Sequence, residues 1–90
     1  MPVKVHIPAP LRSATDGNSV LLVEGATVRQ TLASVGAGYP DFAGKLFEGP
    51  ALKRFINVFV NDEDIRYLDN LDTAVKDGDE VSIIPAVAGG

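Results

Sequence analysis

The two glycines that end the sequence, Gly89 and Gly90, are the residues best suited to chemistry. Another enzyme can activate a terminal carboxylate, and glycine lets the backbone enter a narrow channel because it has no Cβ. Pro85 precedes this segment and lacks the N–H that would extend strand pairing. We therefore predict a flexible tail over residues 86–90 that presents the Gly90 carboxylate for reaction. The residues expected to give access to it are Val87, Ala88 and Gly89. The alternative is a frayed end without function.

Other residues with catalytic or ligand potential lack the partners that such chemistry needs. His6 has no acidic or cysteine partner at a recognisable spacing, so we interpret it as a surface histidine. The acidic run 62–64 lacks the alternating oxygen ligands and closing glutamate of a calcium loop, so we interpret it as a solvated turn. The remaining candidates are glycines that do not follow a strand and hydroxyls outside a nucleophile motif: Gly36, Gly38, Gly44, Ser13 and Thr15. The sequence thus predicts no internal active site.

The composition excludes several classes of function. The 90 residues include no cysteine and one histidine, which excludes a disulfide framework, a zinc finger, an iron–sulfur cluster and a two-histidine metal motif. Twelve acidic against eight basic side chains give a net charge of −4, which disfavours nucleic acid as a partner. No apolar run approaches the roughly 20 residues that span a bilayer, and no signal peptide is recognisable. We expect one cytoplasmic domain with no cofactor, no metal and no membrane partner.

The residues that precede the tail must position the C-terminus. Their pattern of apolar, capping and chain-breaking residues predicts a small α+β domain over residues 1–85. Alternating apolar and β-branched residues predict strands at 3–7, 19–24, 55–60, 65–67 and 80–84. The element order favours a roll, a mixed sheet of about five strands with one main helix on one face. In this roll we expect the first and last strands to be adjacent and parallel.

Capping and breaking residues predict where the helices lie. Thr27, with Gln30 three residues later, is typical of a helix start, and Gly36 and Gly38 are expected to end that helix. Asp41 is the candidate cap of a second short helix through residue 47.

Alternation also assigns the two faces of the sheet. The residues predicted to form the core between sheet and helix are Val3, Val5, Ile7, Leu21, Val23, Ile56, Val58, Val60, Ile65, Val81 and Ile83, with Val28, Leu32 and Val35 on the helix. Phe59 and Ile84 fall on the opposite face, where no second helix is available to cover them. We predict that these two residues bind a partner and that Val20 and Leu22 extend the patch. The alternative is that the pair is covered within the fold.

Three segments resemble the ThiS/MoaD family of ubiquitin-like sulfur carriers. They are V-F-V-N-D-E-D-I-R at 58–66, D-G-D-E-V-S-I-I-P at 77–85 and the ending A-V-A-G-G at 86–90. The resemblance implies a β-grasp (ubiquitin-like) fold, which agrees with the element order. Within the family, residues 54–66 and 85–90 are most similar to the carriers that serve cysteine biosynthesis.

The resemblance implies that the chain is not an enzyme but the protein co-substrate of one. An E1-like adenylating enzyme, using ATP and magnesium, would convert the Gly90 carboxylate into an acyl-adenylate. A sulfur donor would then displace AMP and leave a thiocarboxylate. In the cysteine branch, a PLP-dependent, cysteine synthase-like acceptor would use this sulfur with O-phosphoserine, and a zinc peptidase would release the cysteine from Gly90.

Three other functions stay open on the sequence. The sulfur could pass to a molybdopterin precursor, thiamine, a siderophore or transfer RNA, although Ala86 departs from the two prolines common in molybdopterin carriers. Gly90 could instead form an isopeptide bond with a lysine, as in a ubiquitin-like protein modifier. The chain could also be an interaction module without covalent chemistry.

Overall fold

The computed structural model describes residues 2–85, so the predicted tail over 86–90 lies outside it. The strands within these residues are β1 (Val3–His6), β2 (Val20–Val23), β3 (Phe47–Glu48), β4 (Ala51–Leu52), β5 (Ile56–Val60), β6 (Glu63–Asp64) and β7 (Glu80–Pro85). The α-helices are α1 (Val28–Gly38) and α2 (Pro40–Leu46), and 3-10 helices cover Ala9–Thr15, Ile65–Tyr67 and Asn70–Asp72. None of the helices in this part of the chain has the length and apolar character required to cross a membrane.

Five strands form one mixed sheet in the order β2-β1-β7-β5-β6. The first and last strands are adjacent and parallel, with Lys4 in register with Glu80 and Val5 with Val81. The pairs β1–β2, β5–β7 and β5–β6 are antiparallel. This arrangement confirms the predicted β-grasp roll, and it places the strand that leads to the C-terminus in the middle of the sheet.

The core lies between the inner face of this sheet and helix α1. Every residue predicted to form it is buried except Leu21 and Val23, which are half-buried and pack against the core from the edge strand β2. Phe42 and Leu46 are fully buried as well, so the short helix α2 also contributes to the core. Removal of such side chains leaves a cavity, and the stability of the fold depends on this layer.

Helix α1 begins where the sequence predicts, but Gly36 does not end it. The Thr27 side chain accepts a hydrogen bond from the Gln30 backbone N–H at 3.1 Å, as an N-cap does. Gly36 lies inside the helix because of packing, since a Cβ at this position would approach the Ala43 Cβ of α2 to 3.0 Å. The glycine that sequence reasoning assigned to a helix end therefore allows the two helices to pack closely.

The second short helix and the segment that follows differ from the prediction. Helix α2 starts at Pro40, whose fixed φ suits a first helical position, so Asp41 lies in the first turn rather than at the cap. The helix ends at Leu46, and the next residue begins the β3–β4 hairpin, in which Gly49 has a φ of +64°. Sequence reasoning did not predict this hairpin, because its two-residue strands are too short to show alternation.

The segment Ile65–Tyr67 is a 3-10 helix, not the predicted return strand. The strand that pairs with β5 lies earlier, at Glu63–Asp64. Asp64 caps the 3-10 helix, because its Oδ1 accepts a hydrogen bond from the Arg66 backbone N–H at 2.9 Å. Ile65 is nevertheless buried, so its predicted place in the core is confirmed although its predicted conformation is wrong.

Residues 76–79 form the predicted tight turn before β7, with Gly78 at a φ of +90°. Asp79 holds this turn, since its Oδ2 accepts a hydrogen bond from the Lys76 backbone N–H at 2.8 Å and its Oδ1 accepts one from Asn61 Nδ2 at 3.0 Å. The Lys76 hydrogen bond, followed by the Asn61 hydrogen bond, lowers the pKa of Asp79 below its ordinary value. These contacts fix the start of the strand that ends at the predicted tail.

Candidate functional site

The structure shows where the chain leads into the predicted reacting end. The Gly90 carboxylate and the access residues Val87, Ala88 and Gly89 lie outside the described residues, so their roles stay predictions. Strand β7 lies between β1 and β5, and Pro85 is in register with Ile56. Within the described residues, β7 is therefore paired as far as Pro85, one position beyond the predicted end of the strand. The sheet therefore holds the backbone as far as Pro85, the residue that precedes the predicted tail.

Phe59 and Ile84 lie together on the outer face of the sheet, as alternation predicts. Phe59 is in register with Ser82 and Ile84 with Asn57, so the two apolar side chains are diagonal neighbours across the β5–β7 pair. Ile84 is 49% exposed, and Phe59 is half-buried. The alternative of a pair covered within the fold does not hold for Ile84. The structure thus places an apolar surface directly beside the end of β7, and its role in partner binding stays a prediction.

Val20 and Leu22 lie on the same outer face but do not continue this apolar surface. Their side chains are 41% and 63% exposed, and they are in register with His6 and Lys4 of β1. Because β1 lies between β2 and β7, the polar side chains of His6 and Lys4 separate Val20 and Leu22 from Ile84. The outer face therefore has two apolar areas with a polar strip between them.

A hydrogen bond between a histidine and a glutamate lies in the middle of this polar strip. His6 Nε2 and Glu80 Oε1 are 2.6 Å apart, and the two side chains are partly exposed. His6 is a partly exposed surface residue, as the sequence predicts, but the parallel pairing of β1 with β7 supplies an acidic partner from 74 positions away that sequence spacing did not reveal. Only knowledge of that strand register could have identified Glu80 from the sequence. Among residues 2–85, this pair belongs to no group of three or more side chains that could hold a metal ion.

The acidic run 62–64 is only partly the predicted solvated turn, because Asp62 lies in the turn and Glu63–Asp64 form strand β6. Asp62 and Glu63 are exposed, whereas Asp64 is buried and binds the Arg66 guanidinium through both carboxylate oxygens. The contacts are 2.7 Å from Nη2 to Oδ2 and 3.1 Å from Nε to Oδ2, with a further 3.2 Å from Nε to Oδ1. The side-chain hydrogen bonds from Arg66, and then the backbone one, lower the pKa of Asp64. The run is therefore structural, and no cluster of metal-ligating side chains occurs among residues 2–85.

The other candidates singled out in the sequence also have structural roles or none. Thr15 is buried, and its hydroxyl donates a hydrogen bond to the Asn18 carbonyl oxygen at 3.0 Å, which closes the loop before β2. Ser13 is exposed, and Gly38 and Gly44 lie in helices.

The sequence matches a known family over almost its whole length. The model of the ThiS family matches residues 5–90. The sulfur carrier protein CysO of Mycobacterium tuberculosis is 41% identical over 93 residues, and the alignment covers 100% of both chains. Small archaeal modifier protein 3 of Haloferax volcanii is 43% identical over 67 residues, which cover 74% of this chain and 73% of that protein.

The fold matches a solved structure equally well. A chain in the crystal structure of the BexX/CysO complex of Amycolatopsis orientalis superposes with a TM-score of 0.93 at 44% sequence identity. The superposition covers 98% of this chain and 99% of that chain. The CysO relative in that crystal is thus a protein bound to a partner.

Proposed function

The chain belongs to the ThiS family, and on this premise we propose that it carries sulfur as a thiocarboxylate at Gly90. The observation that carries the proposal is the full-length match to CysO, a sulfur carrier of the same size, together with a family match that extends to the final residue. In this role the chain is the co-substrate of an activating enzyme.

The proposed chemistry takes place at one carbon atom. An oxygen of the Gly90 carboxylate attacks the α-phosphorus of ATP, pyrophosphate leaves, and an acyl-adenylate forms. Sulfide then attacks the carbonyl carbon, and AMP leaves with the oxygen, which produces the thiocarboxylate. Adenylation is needed because a free carboxylate is a poor electrophile without a leaving group. The E1-like enzyme supplies ATP and magnesium, so no cofactor of this chain takes part.

The fold supports this chemistry through strand β7, which holds the chain in place up to the start of the C-terminal segment. Strand β7 pairs with β5 as far as Pro85 and with β1 at residues 80–82, and the turn at 76–79 before it is fixed by Asp79. Misplacement of a reacting group by about 1 Å can cost on the order of a hundredfold in rate. Because a paired strand directly precedes the C-terminus, an enzyme that binds the folded domain also determines where the C-terminal residues begin. We therefore propose that Phe59 and Ile84, beside the end of β7, dock on the activating enzyme.

The similarity to CysO supports cysteine biosynthesis as the pathway. In this branch the thiocarboxylate sulfur attacks an aminoacrylate that a PLP-dependent enzyme forms from O-phosphoserine. Transfer of the acyl group from sulfur to the new amine leaves a cysteine attached to Gly90, and a zinc peptidase hydrolyses that bond. The test is incubation of the thiocarboxylate form with O-phosphoserine and the acceptor enzyme of the same organism. The expected product is the chain extended by one cysteine, whereas an unchanged thiocarboxylate would exclude this pathway.

A second candidate function is protein modification, which the similarity to small archaeal modifier protein 3 favours. Here the activated Gly90 carbonyl would form an isopeptide bond with a lysine of a target protein. Isolation of the chain from its own cells under denaturing conditions distinguishes the two. Covalent adducts of higher mass, with Gly90 linked to lysine, would support modification, and their absence would leave sulfur carrying alone.

The absence of cysteine from the sequence makes the thiocarboxylate directly detectable. Iodoacetamide reacts with nucleophilic sulfur, and the single methionine is a much poorer target at neutral pH than a thiocarboxylate. The chain isolated after treatment with an E1-like enzyme, ATP and sulfide should take up one label, and a variant without Gly90 should take up none. Failure of the wild-type chain to be labelled would contradict the proposal.

A further inference from the structure

A cleft of about 430 Å³ opens beside β5, and neither Phe59 nor Ile84 nor any residue of β7 lines it. Its floor consists of four buried apolar side chains, those of Ile56, Val58, Ile65 and Leu71. One wall is the β4 strand with the half-buried Leu52, and the opposite wall is the pair of 3-10 helices after β6. Small-molecule sites are typically concave, mostly apolar and about 300–1,000 Å³ in volume, so this cleft has the dimensions of such a site.

The rim of the cleft concentrates positive charge in an acidic protein. Four of the eight lysine and arginine residues line it, namely Arg29, Lys53, Arg54 and Arg66. Only two carboxylates, Asp64 and Asp72, line it as well. The cleft therefore has an excess of cations, although the whole chain has a net charge of −4.

Two of these cations are available to a ligand. Arg66 is engaged by Asp64, and Arg29 Nη2 lies 3.4 Å from Asp72 Oδ1 in an exposed pair. Within residues 2–85, no hydrogen bond or ion pair engages the side chain of Lys53 or of Arg54. Free ammonium and guanidinium groups next to an apolar floor are arranged to receive an anion attached to an apolar body.

We propose that this cleft binds a small amphipathic organic anion, with its compact apolar body on Ile56, Ile65 and Leu71 and its anionic group on Lys53 and Arg54. The apolar body gains from burial, and the anion gains charge-assisted hydrogen bonds. Neither Phe59 nor Ile84 lines the cleft, so the site is separate from the proposed docking surface and does not depend on it.

The test is a titration of the ¹⁵N-labelled chain with 4-phenylbutyrate, followed by backbone amide shifts. We expect saturable shifts at the amides of Leu52, Ile56, Ile65 and Leu71 with a dissociation constant of about 1–5 mM, as expected for a ligand of this size. The matched probe is 4-phenylbutylamine, which has the same apolar body and the opposite charge and should give no saturable shift at these amides. No saturable shift with 4-phenylbutyrate, or equal binding of the amine, would overturn the proposal.

Two double variants test the role of charge at equal net charge. The variant Lys53→Ala/Arg54→Ala should raise the dissociation constant of 4-phenylbutyrate at least about fivefold, because it removes both free cations. The control Lys45→Ala/Lys76→Ala removes two lysines that do not line the cleft and should leave the constant within about twofold. If the first variant does not fold, the single variant Arg54→Gln replaces it. This variant should raise the dissociation constant of 4-phenylbutyrate at least about twofold.

Equal dissociation constants for the cleft variant and its control would overturn the proposal. The peptide acetyl-Glu-Leu-Phe-Glu-amide tests the other source of this chemistry, a segment of a protein. If the peptide moved the same amides with at least about tenfold higher affinity, the site would be one for a protein segment, and the proposal of a small anion would be wrong.

Discussion

Truncation of Ile84 tests the proposed docking surface with a magnitude that the structure fixes. Complete burial of a side chain such as isoleucine is worth about 1.5–3 kcal/mol. Ile84 is 49% exposed in the free chain, so a partner can bury at most about half of it, worth about 0.7–1.5 kcal/mol. Ile84→Ala should therefore weaken binding to the activating enzyme about threefold to tenfold. Ile84→Asp should weaken it further, because docking would then bury a carboxylate.

The structure also provides a matched control for this experiment. Leu22 is 63% exposed on the same outer face, but the polar strip of β1 separates it from Ile84. We expect Leu22→Ala to bind the enzyme within about twofold of the wild type, because the proposed contact does not reach it. The assay is isothermal titration of each variant with the E1-like enzyme, with thermal unfolding to verify the fold. Unchanged binding of Ile84→Ala, or an equal loss in Leu22→Ala, would refute the docking proposal.

Three further predictions concern the fold that positions the C-terminus. Leu32→Ala should lower the free energy of unfolding by about 2–5 kcal/mol in urea denaturation, because Leu32 is fully buried against the sheet. Gly25→Ala should cost about 1–3 kcal/mol in the same assay, since its Cβ would come within 3.0 Å of the Thr31 backbone, whereas an effect below about 0.5 kcal/mol would contradict the packing described. Asp79→Asn should lower stability by about 0.5–1.5 kcal/mol at pH 7, because the ionised carboxylate accepts hydrogen bonds from the Lys76 backbone N–H and from Asn61 Nδ2 that an amide accepts less well. The difference from the wild type should begin to shrink as the pH falls below about 4, where the unfolded chain is protonated, and should vanish below the lower pKa of folded Asp79; a difference independent of pH would contradict this assignment.

Alternation was sufficient to predict the parts of the fold in which one side of the chain is buried. In β5 and β7 every second residue is buried, so the inner and outer faces, and with them Phe59 and Ile84, could be assigned from the sequence. The helix start could also be predicted, because it depends on a local contact: the Gln30 backbone N–H donates a hydrogen bond to the Thr27 hydroxyl three positions earlier.

Features that depend on distant contacts could not be predicted. A glycine at position 36 is typical of a helix end. It lies inside α1 because Ala43 of α2 packs closely against it. The partner of His6 is set by strand register across 74 positions. The sequence around Ile65 favours a strand. The hydrogen bond from the Arg66 backbone N–H to the Asp64 side chain stabilises a 3-10 helix there instead. The cleft beside β5 could not be predicted either, because the residues that line it come from separate segments of the chain.

The measurement that tests the central claim most directly is the intact mass of the chain after incubation with its E1-like enzyme, ATP and sulfide. We predict that the wild type gains the mass of one oxygen-to-sulfur exchange and that fragmentation maps it to Gly90. Deletion of Gly90, or addition of one residue after it, moves the carboxylate by about 3.3–3.6 Å and should abolish the gain without changing thermal stability. A mass gain in the length variants equal to that of the wild type, or none in the wild type, would contradict the account of Gly90 as the sulfur-carrying residue.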